Sequence, residues 1–149
     1  MDPCPFCAYL LGTARCAFVT RTDQVASLVN MRQYERGALL VIPVTHAATV
    51  LELDPEQIAA VHVEAARVGR ALFRAFCCTG LNIFQNNGLD AGQHVPHFHV
   101  HVVPRYPGSD PRRIFQQADF EPVPFERQIE LAAAVQAALG LSNDRFREI

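Results

Sequence analysis

The chain has 149 residues and a formal net charge of −2, and 50% of its residues are hydrophobic. This composition is typical of one soluble globular domain, here residues 1–149, with a sizeable core. The charge gives no electrostatic basis for binding long nucleic acid, and no apolar run approaches the ~20 residues of a membrane span. No basic segment precedes the first apolar residues, so the sequence predicts no signal peptide and we expect a cytoplasmic protein.

The five cysteines fall into two groups. Their odd number, in a reducing compartment, argues against a disulfide framework. Cys4 and Cys7 form a Cys-x-x-Cys turn, which makes them candidate metal ligands or redox groups. Cys16, Cys77 and Cys78 are expected to be packing residues, because free cysteine is among the most frequently buried residue types.

Five strands are predicted, and they cover residues 16–20, 25–30, 37–43, 80–86 and 95–104. The third is a short apolar run closed by proline, which is typical of a buried strand. The fifth alternates along its length and is bounded by prolines. A loop punctuated by glycine, residues 86–92, separates the last two strands.

A long helix over residues 54–76 is the clearest element of the sequence. Asp54 suits its N-cap, Pro55 its first position, and Gln57 the place of the capping-box partner. An apolar stripe at helical spacing follows, and its members are Ile58, Val61, His62, Ala65, Val68, Leu72, Phe73 and Phe76. His62 is therefore expected to be a core or interface residue rather than a ligand. The charged residues expected largely off the stripe are Glu64, Arg67, Arg70 and Arg74.

The remaining elements complete the fold prediction. A second helix is expected over residues 124–140, ending at Gly140, after an irregular excursion over residues 105–123. The cysteine turn lies in an N-terminal arm, residues 1–12. The pattern predicts an α+β fold, in which an antiparallel sheet of about five strands has helices packed on one face.

Three histidines alternate with apolar residues in the fifth strand. His97, His99 and His101 would share one face of that strand, while Phe98 and Val100 point to the core. Consecutive positions on one face are ~7 Å apart, so the three rings cannot chelate one ion unaided, and distinct tasks are favoured. A neutral imidazole can act as a nucleophile, a second can donate to a phosphate oxygen, and a third can bind a metal. The alternative is a row of polar residues on a solvated sheet face.

This segment resembles the signature of the histidine triad family, His-φ-His-φ-His-φ-φ, which here spans residues 97–103. The upstream NNGLDAGQ, residues 86–93, is similar to the family's segment before the triad. LLVIPVTH, residues 39–46, resembles its strand followed by proline and histidine. CPFC, residues 4–7, resembles the turn of its zinc-carrying bacterial branch. The resemblance implies the family's fold, which is the α+β arrangement predicted above.

The resemblance also implies nucleotide chemistry at an α-phosphate. His99 would attack phosphorus and form a nucleotidyl-histidine, which water then cleaves to release a nucleoside monophosphate. His101 would bind a phosphate oxygen or assist the leaving group, and His97 would support the site. Suitable substrates are dinucleoside polyphosphates or nucleoside phosphoramidates, with adenine or another purine as the base. A homodimer is implied, with the long helix and a neighbouring strand at its interface.

Five further residues are candidates for substrate binding, and they are Asn30, Asn86, Gly92, Gln93 and His94. By resemblance, Asn86 would contact phosphate or the scissile bridge and Asn30 the ribose, although Asn30 can equally be a turn residue. Gly92 and Gln93 offer backbone and side-chain donors beside developing negative charge. His94 stands where the family often has Ser or Thr, as a leaving-group acid or an exposed loop residue.

A structural zinc site is predicted from four residues. Zinc prefers four ligands in tetrahedral array, and Cys4 and Cys7 supply two. His46 and His97 are the available partners, and the resemblance points to the same four. Zinc there would pin the N-terminal arm to the sheet and support His99. A redox Cys-x-x-Cys pair and an empty site are the alternatives.

Two other functions stay open on the sequence alone. Family members commonly carry histidine where Ala38 stands, and the missing contact keeps open a nucleotide-binding scaffold with little turnover. A thiol redox protein would instead form a reversible disulfide between Cys4 and Cys7. The leading hypothesis is the zinc-containing hydrolase, with phosphorolysis or nucleotidyl transfer as variants of its chemistry.

Overall fold

The computed structural model describes residues 4–113 and 120–141. Its helices are α1 (Pro5–Leu10), α2 (Pro55–Phe76) and α3 (Phe125–Ala138), and its strands are β1 (Phe18–Arg21), β2 (Val25–Val29), β3 (Leu39–Pro43), β4 (Gly80–Gln85) and β5 (Val100–Arg105). Short 3-10 turns cover Val50–Glu52 and Leu89–Ala91. Part of the predicted excursion, residues 114–119, lies outside the described residues.

The five strands form one antiparallel sheet in the order β1-β2-β3-β5-β4. Helix α2 packs on β2, β3 and β5, and α3 packs on α2, β1 and β2. The buried side chains between these helices and the sheet include Phe98, Val100 and Val102. The predicted α+β fold is therefore confirmed, and so is the inward orientation of the apolar residues that alternate with the histidines.

Helix α1 lies on the opposite face of the sheet, where the sequence pattern predicted no helix. Its Phe6 and Leu10 pack against Leu28, Leu40 and Ile42. The helix begins at its cysteine turn, because the Cys4 thiol accepts a hydrogen bond from the backbone N–H of Cys7 (3.4 Å). The sheet is thus covered on both faces, by long helices on one side and by this short arm on the other.

The predicted start of the fifth strand was wrong. β5 begins at Val100 rather than at residue 95, so His97 and His99 precede the strand. The backbone N–H groups there bond outside a strand ladder, since His97 donates to Val95 and Phe98 to Ala47. The histidines therefore lie on an irregular approach to the strand, where their rings can turn toward different neighbours.

Helix α2 has the predicted capping box, with Asp54 and Gln57 bonded to each other's backbone N–H groups. Its stripe differs from the prediction at the margins, because His62 is exposed and Phe73 is 43% exposed. Glu64 is buried, although it was expected off the stripe. Three residues after Val61 and four before Val68, Glu64 lies on the face that contacts the sheet.

Hydrogen bonds on β1 and β2 make the burial of Glu64 possible. Its carboxylate accepts from the hydroxyl of Thr20 and from that of Ser27 (3.3 Å), and these two hydroxyls also bond to each other (2.6 Å). Arg67, one turn along the helix, donates to both carboxylate oxygens (2.7 and 3.1 Å). A buried charge is tolerated when it is paired and hydrogen-bonded in this way.

Glu64→Ala is expected to lower the free energy of unfolding by about 2–4 kcal/mol, because it leaves a cavity and two under-bonded hydroxyls beneath the helix. Chemical denaturation followed by circular dichroism measures the loss. Glu130→Ala is the matched control, since Glu130 pairs with Arg127 on an exposed helix face (2.7 Å). It should cost about 0.5 kcal/mol or less. Equal losses in the two variants would contradict a stabilising role for the buried network.

β4 is an edge strand of the sheet, and most of its residues are only partly buried. Ile83 on this strand and Phe73 on α2 are both 43% exposed. The resemblance placed a dimer interface on this helix and a neighbouring strand, and the homodimer stays a prediction.

Candidate active site and metal-ligand cluster

A cleft of about 470 Å³ opens on the face of the sheet that α1 partly covers. One part is polar and is lined by His99, His101, Asn86, Gly92 and His94. The walls are apolar, with Phe6, Tyr9, Leu28 and Leu40 among the lining residues. Further polar groups come from Asn30, Arg32 and Gln128. The arrangement can hold an elongated molecule that is polar at one end and flat and apolar along its length.

His99 is oriented for nucleophilic attack. Its Nδ1 lies 2.7 Å from the carbonyl oxygen of His97, and a carbonyl can only accept, so Nδ1 carries the proton. The other ring nitrogen, Nε2, then keeps a free lone pair while the ring is neutral. Burial lowers the pKa of His99 from its ordinary value. The ring is therefore neutral at physiological pH, with its reactive nitrogen defined by the backbone.

His101 lies beside His99, with ring centroids 4.9 Å apart, and stacks flat on Phe84 at 4.5 Å. Its Nδ1 is buried, and within residues 4–113 and 120–141 it has no hydrogen-bond partner. Burial lowers the pKa of His101 to about 3, so this ring is also neutral. An unpaired lone pair costs less here than an unpaired N–H, so the proton is favoured on Nε2. His101 can thus donate to an anionic oxygen in the cleft.

His97 does not line the cleft and instead joins the cysteine turn. It is fully buried, and its Nε2 donates to the carbonyl of Pro43 (3.0 Å), which leaves the lone pair on Nδ1. That Nδ1 lies 3.4 Å from Cys4 Sγ, 3.6 Å from Cys7 Sγ and 3.3 Å from His46 Nδ1. Burial lowers the pKa of His97 to about 4, so its Nδ1 is available as a ligand.

The predicted zinc ligands Cys4, Cys7, His46 and His97 come together, with their ligand atoms all within 4.8 Å of one another. Tetrahedral zinc, with bonds of ~2.3 Å to sulfur and ~2.0 Å to nitrogen, separates its ligand atoms by roughly 3.3–3.8 Å. Four of the separations observed here run from 3.3 to 3.6 Å. Partial burial and the neighbouring Cys4 raise the pKa of the Cys7 thiol, and a bound cation would oppose this effect. These residues fit a zinc ion.

In the loop before the histidines, some residues line the cleft and others hold the loop in place. Asn86 lines the cleft and donates from Nδ2 to the carbonyl of Gly92 (3.3 Å). Gly92 adopts φ +83°, a conformation that favours glycine. The side chain of Gln93 does not line the cleft, because it accepts from the N–H of Gly88 (2.7 Å) and donates to the carbonyl of Ala48 (2.6 Å). His94 is exposed at the cleft.

Asn30 lies at the end of β2 and is buried, with its side-chain oxygen accepting from the N–H of Arg32 (3.0 Å). Among the described residues its amide nitrogen donates no hydrogen bond, so it is available to a ligand in the cleft. Ala38 is fully buried against Tyr34 and Val103, where the resemblance would have placed a histidine. The alanine that replaces the usual histidine is therefore a core residue.

Several residues that line the cleft were not predicted from the sequence. Phe6 packs edge-on against His97 and His99, with centroid distances of 5.6 and 5.2 Å, but no local pattern relates it to residues so distant in the chain. Gln128 comes from α3. Among the cysteines predicted to be packing residues, Cys78 is buried, Cys16 is partly buried and lines the cleft, and Cys77 is exposed. Cys77 is the C-cap of α2 and adopts the left-handed conformation, with φ 53°.

Alternate histidines at the head of an inner strand, beside a cleft on a five-stranded antiparallel sheet, are the features of a histidine triad protein. A family model described as HIT domain matches residues 12–108, and the chain therefore belongs to the HIT domain family. Protein hit of Bacillus subtilis (strain 168) is 36% identical over 109 residues, which are 73% of this chain and 75% of that protein.

Two further relatives bear on the metal and on the chemistry. A structure described as a zinc-bound histidine triad family protein from Mycobacterium smegmatis is 31% identical, with a TM-score of 0.78 over 92% of this chain and 93% of that one. The asymmetrical bis(5'-nucleosyl)-tetraphosphatase of Schizosaccharomyces pombe is 34% identical over 85 residues, 57% of this chain and 47% of that enzyme. The family thus includes nucleotide-binding proteins and hydrolases. Within the described residues, no helix is long and apolar enough to cross a membrane.

Proposed function

We propose that this protein is a nucleotide hydrolase that acts at an α-phosphate through a nucleotidyl-histidine intermediate. The observation that carries the proposal is the hydrogen bond from His99 Nδ1 to the carbonyl of His97 (2.7 Å), which fixes the lone pair on Nε2. His99 lines the cleft, so this nucleophile meets whatever the cleft binds. Dinucleoside polyphosphates and nucleoside phosphoramidates are the substrate classes, with adenine or another purine as the base.

The reaction runs in two displacements. In the first, the Nε2 lone pair bonds to phosphorus while the bond to the bridging oxygen, or to the phosphoramidate nitrogen, breaks and its electron pair leaves with that atom. In the second, the oxygen of water bonds to phosphorus and the N–P bond breaks, which returns its electron pair to His99. The proton that water loses balances the proton that the leaving group takes up. The products are a nucleoside monophosphate and the free leaving group.

The neighbouring residues bind and orient the substrate. His101 donates to a phosphate oxygen, and Asn86 and Gly92 contact the phosphate or the bridge from the loop. His94 is exposed at the same end of the cleft and can contact or protonate the leaving group. Asn30 contacts the ribose. Gln93 holds the loop in shape through its bonds to Gly88 and Ala48, and its contribution to substrate binding is therefore indirect.

We also propose that Cys4, Cys7, His46 and His97 hold a structural zinc ion. Zinc in this position supplies no reactive group and ties the N-terminal arm to the sheet. The ring of His97 belongs to the cluster, and its carbonyl accepts from His99. The same residue thus connects the cluster to the orientation of the nucleophile.

The proposal is tested by incubating the purified protein with diadenosine tetraphosphate and, separately, with adenosine 5'-phosphoramidate. We expect AMP to appear with both, and intact-mass spectrometry after rapid acid-free quenching should show a covalent adenylyl adduct. His99→Ala serves as the blank. Identical AMP release and adduct formation by the two proteins on each substrate would show that the proposal is wrong.

The buried Ala38 favours a second function, a nucleotide-binding protein with little turnover. It stands where the family commonly carries a histidine, so one contact to the histidine row is absent. The same incubation separates the two functions, because the second predicts neither AMP release nor an adenylyl adduct.

A further inference from the structure

Gln128 is a polar residue of α3 that lines the cleft from outside the family match, which ends at residue 108. It is 7% exposed. Its amide nitrogen donates to the carbonyl of Val123 (3.0 Å). Because a carbonyl can only accept, this contact fixes which end of the amide is nitrogen. The amide oxygen accepts no hydrogen bond within the described residues, and it is the group that Gln128 offers to the cleft.

The orientation of Gln128 is held by the segment that precedes its helix. The backbone N–H of Val123 donates to the carbonyl of Met31 (2.8 Å), and the guanidinium of Arg32 donates to the carbonyl of Phe120. Both bonds fasten the segment to the residues that follow Asn30 at the end of β2. Turning the amide of Gln128 over would set its oxygen against the Val123 carbonyl and forfeit a hydrogen bond, so its acceptor character is fixed.

The strand register sets a distance scale across the cleft. His101 is opposite Leu40, and Leu40 is opposite Leu28, so the three form a row across β5, β3 and β2. Neighbouring strands are ~4.8 Å apart, which places Leu28 roughly 10 Å from His101. That distance is comparable with the length of a nucleoside monophosphate. Gln128 and Cys16 also line the cleft, and both lie near the end of β2. Cys16 precedes Ala17, whose carbonyl accepts from Val29, and Gln128 bonds to Val123, which bonds to Met31.

We infer that Gln128 reads the base of the nucleotide, with its amide oxygen accepting a hydrogen bond from the 6-amino group of adenine. The inference rests on the proposed function, which places the α-phosphate at His99 and so directs the base toward the far end of the cleft. Hypoxanthine and guanine carry a carbonyl at the same ring position. Their 6-oxygen would face the oxygen of Gln128 as a second acceptor, and their nearest donor, N1–H, is displaced by one ring position from the amino group of adenine. The residue would therefore select 6-aminopurine nucleotides over 6-oxopurine nucleotides.

Calorimetric titration of the full chain with AMP and with IMP tests the inference, because these ligands differ only at the 6-position and in the proton on the adjoining N1, and neither requires turnover. Wild type is expected to bind AMP about tenfold more tightly than IMP. With IMP the hydrogen bond from the 6-amino group is lost, and the 6-oxygen and the Gln128 oxygen, both acceptors, face each other. Gln128→Leu should lower this ratio to about two or less. Gln128→Met, which is closer in shape, should do the same if the leucine variant fails to fold.

Gln136→Leu is the matched control. Gln136 is also buried on α3, but it bonds to the carbonyls of Phe18 and Val19 and does not line the cleft. This variant should keep the wild-type preference. Equal binding of AMP and IMP by wild type would overturn the inference and leave the proposed function standing, whereas a wild-type protein that binds no nucleotide would overturn both.

2'-Deoxy-AMP distinguishes the base from the ribose as the source of the hydrogen-bond donor. If the Gln128 oxygen receives the 6-amino group, Gln128→Leu weakens binding of AMP and 2'-deoxy-AMP by the same factor. If the substitution weakens AMP and IMP equally but leaves 2'-deoxy-AMP unchanged, the donor is a ribose hydroxyl and the inference is wrong.

Discussion

His99→Ala is expected to reduce kcat for AMP release at least a thousandfold, which corresponds to about 4 kcal/mol of lost transition-state stabilisation. The neighbouring His101 is a poor substitute as nucleophile, because its Nδ1 is buried and the proton is favoured on its Nε2. The affinity for AMP should change by less than about fivefold, since most of the apolar and polar lining is untouched. A large loss in kcat with a small change in binding identifies a group that acts in the reaction step.

Steady-state kinetics and rapid-quench mass spectrometry provide the measurement, and the adenylyl adduct should be absent in the variant. His62→Ala is the matched control, because His62 is exposed on α2 and its Nδ1 bonds to the carbonyl of Ile58 within the same helix (2.9 Å). It should leave kcat and the adduct as in wild type. An adduct that persists in His99→Ala would assign the nucleophile to another residue and defeat the mechanism.

The regular parts of the fold follow from short-range patterns in the sequence. The capping residues Asp54 and Gln57 predict where α2 begins, and the alternation around Phe98 predicts which face meets the core. Both rest on contacts within a few residues, where spacing alone determines geometry. The buried Glu64 escapes this kind of reasoning, because its carboxylate is stabilised by hydroxyls on two strands about forty residues away in the chain.

In the candidate site, too, some features follow from the sequence and others depend on contacts between distant residues. The clustering of Cys4, Cys7, His46 and His97 was predictable, since a cysteine turn and two histidines offer a complete ligand set and the family resemblance points to the same four residues. The separate environments of His97 and His99 were predicted only as distinct tasks. Those environments depend on the irregular backbone before β5, where the N–H of Phe98 donates to the carbonyl of Ala47, a residue distant in the sequence. Gln128 could not be found from sequence, because only the packing of α3 against the sheet brings it to the cleft.

The second large effect is expected from removing one residue of the candidate zinc cluster. Cys4→Ala should abolish stoichiometric zinc binding and lower the free energy of unfolding by about 3 kcal/mol or more, because a ligand that binds only the folded chain stabilises it. For a chain of this length, such a loss lowers Tm by roughly 10 °C. Elemental analysis and thermal unfolding measure the two effects, and a chelator should lower the Tm of wild type to that of the variant.

The substitution should also slow AMP release, since the ring of His97 belongs to the cluster while the carbonyl of the same residue orients His99. Cys77→Ser is the control, because Cys77 is exposed at the end of α2 and away from the cluster. It should retain zinc and keep stability within about 0.5 kcal/mol of wild type. If wild type contains no zinc and instead forms a reversible Cys4–Cys7 disulfide, the thiol redox alternative replaces the structural metal. If Cys4→Ala loses its zinc but keeps wild-type AMP release, the cluster stabilises the arm without orienting His99, and the connection through His97 fails.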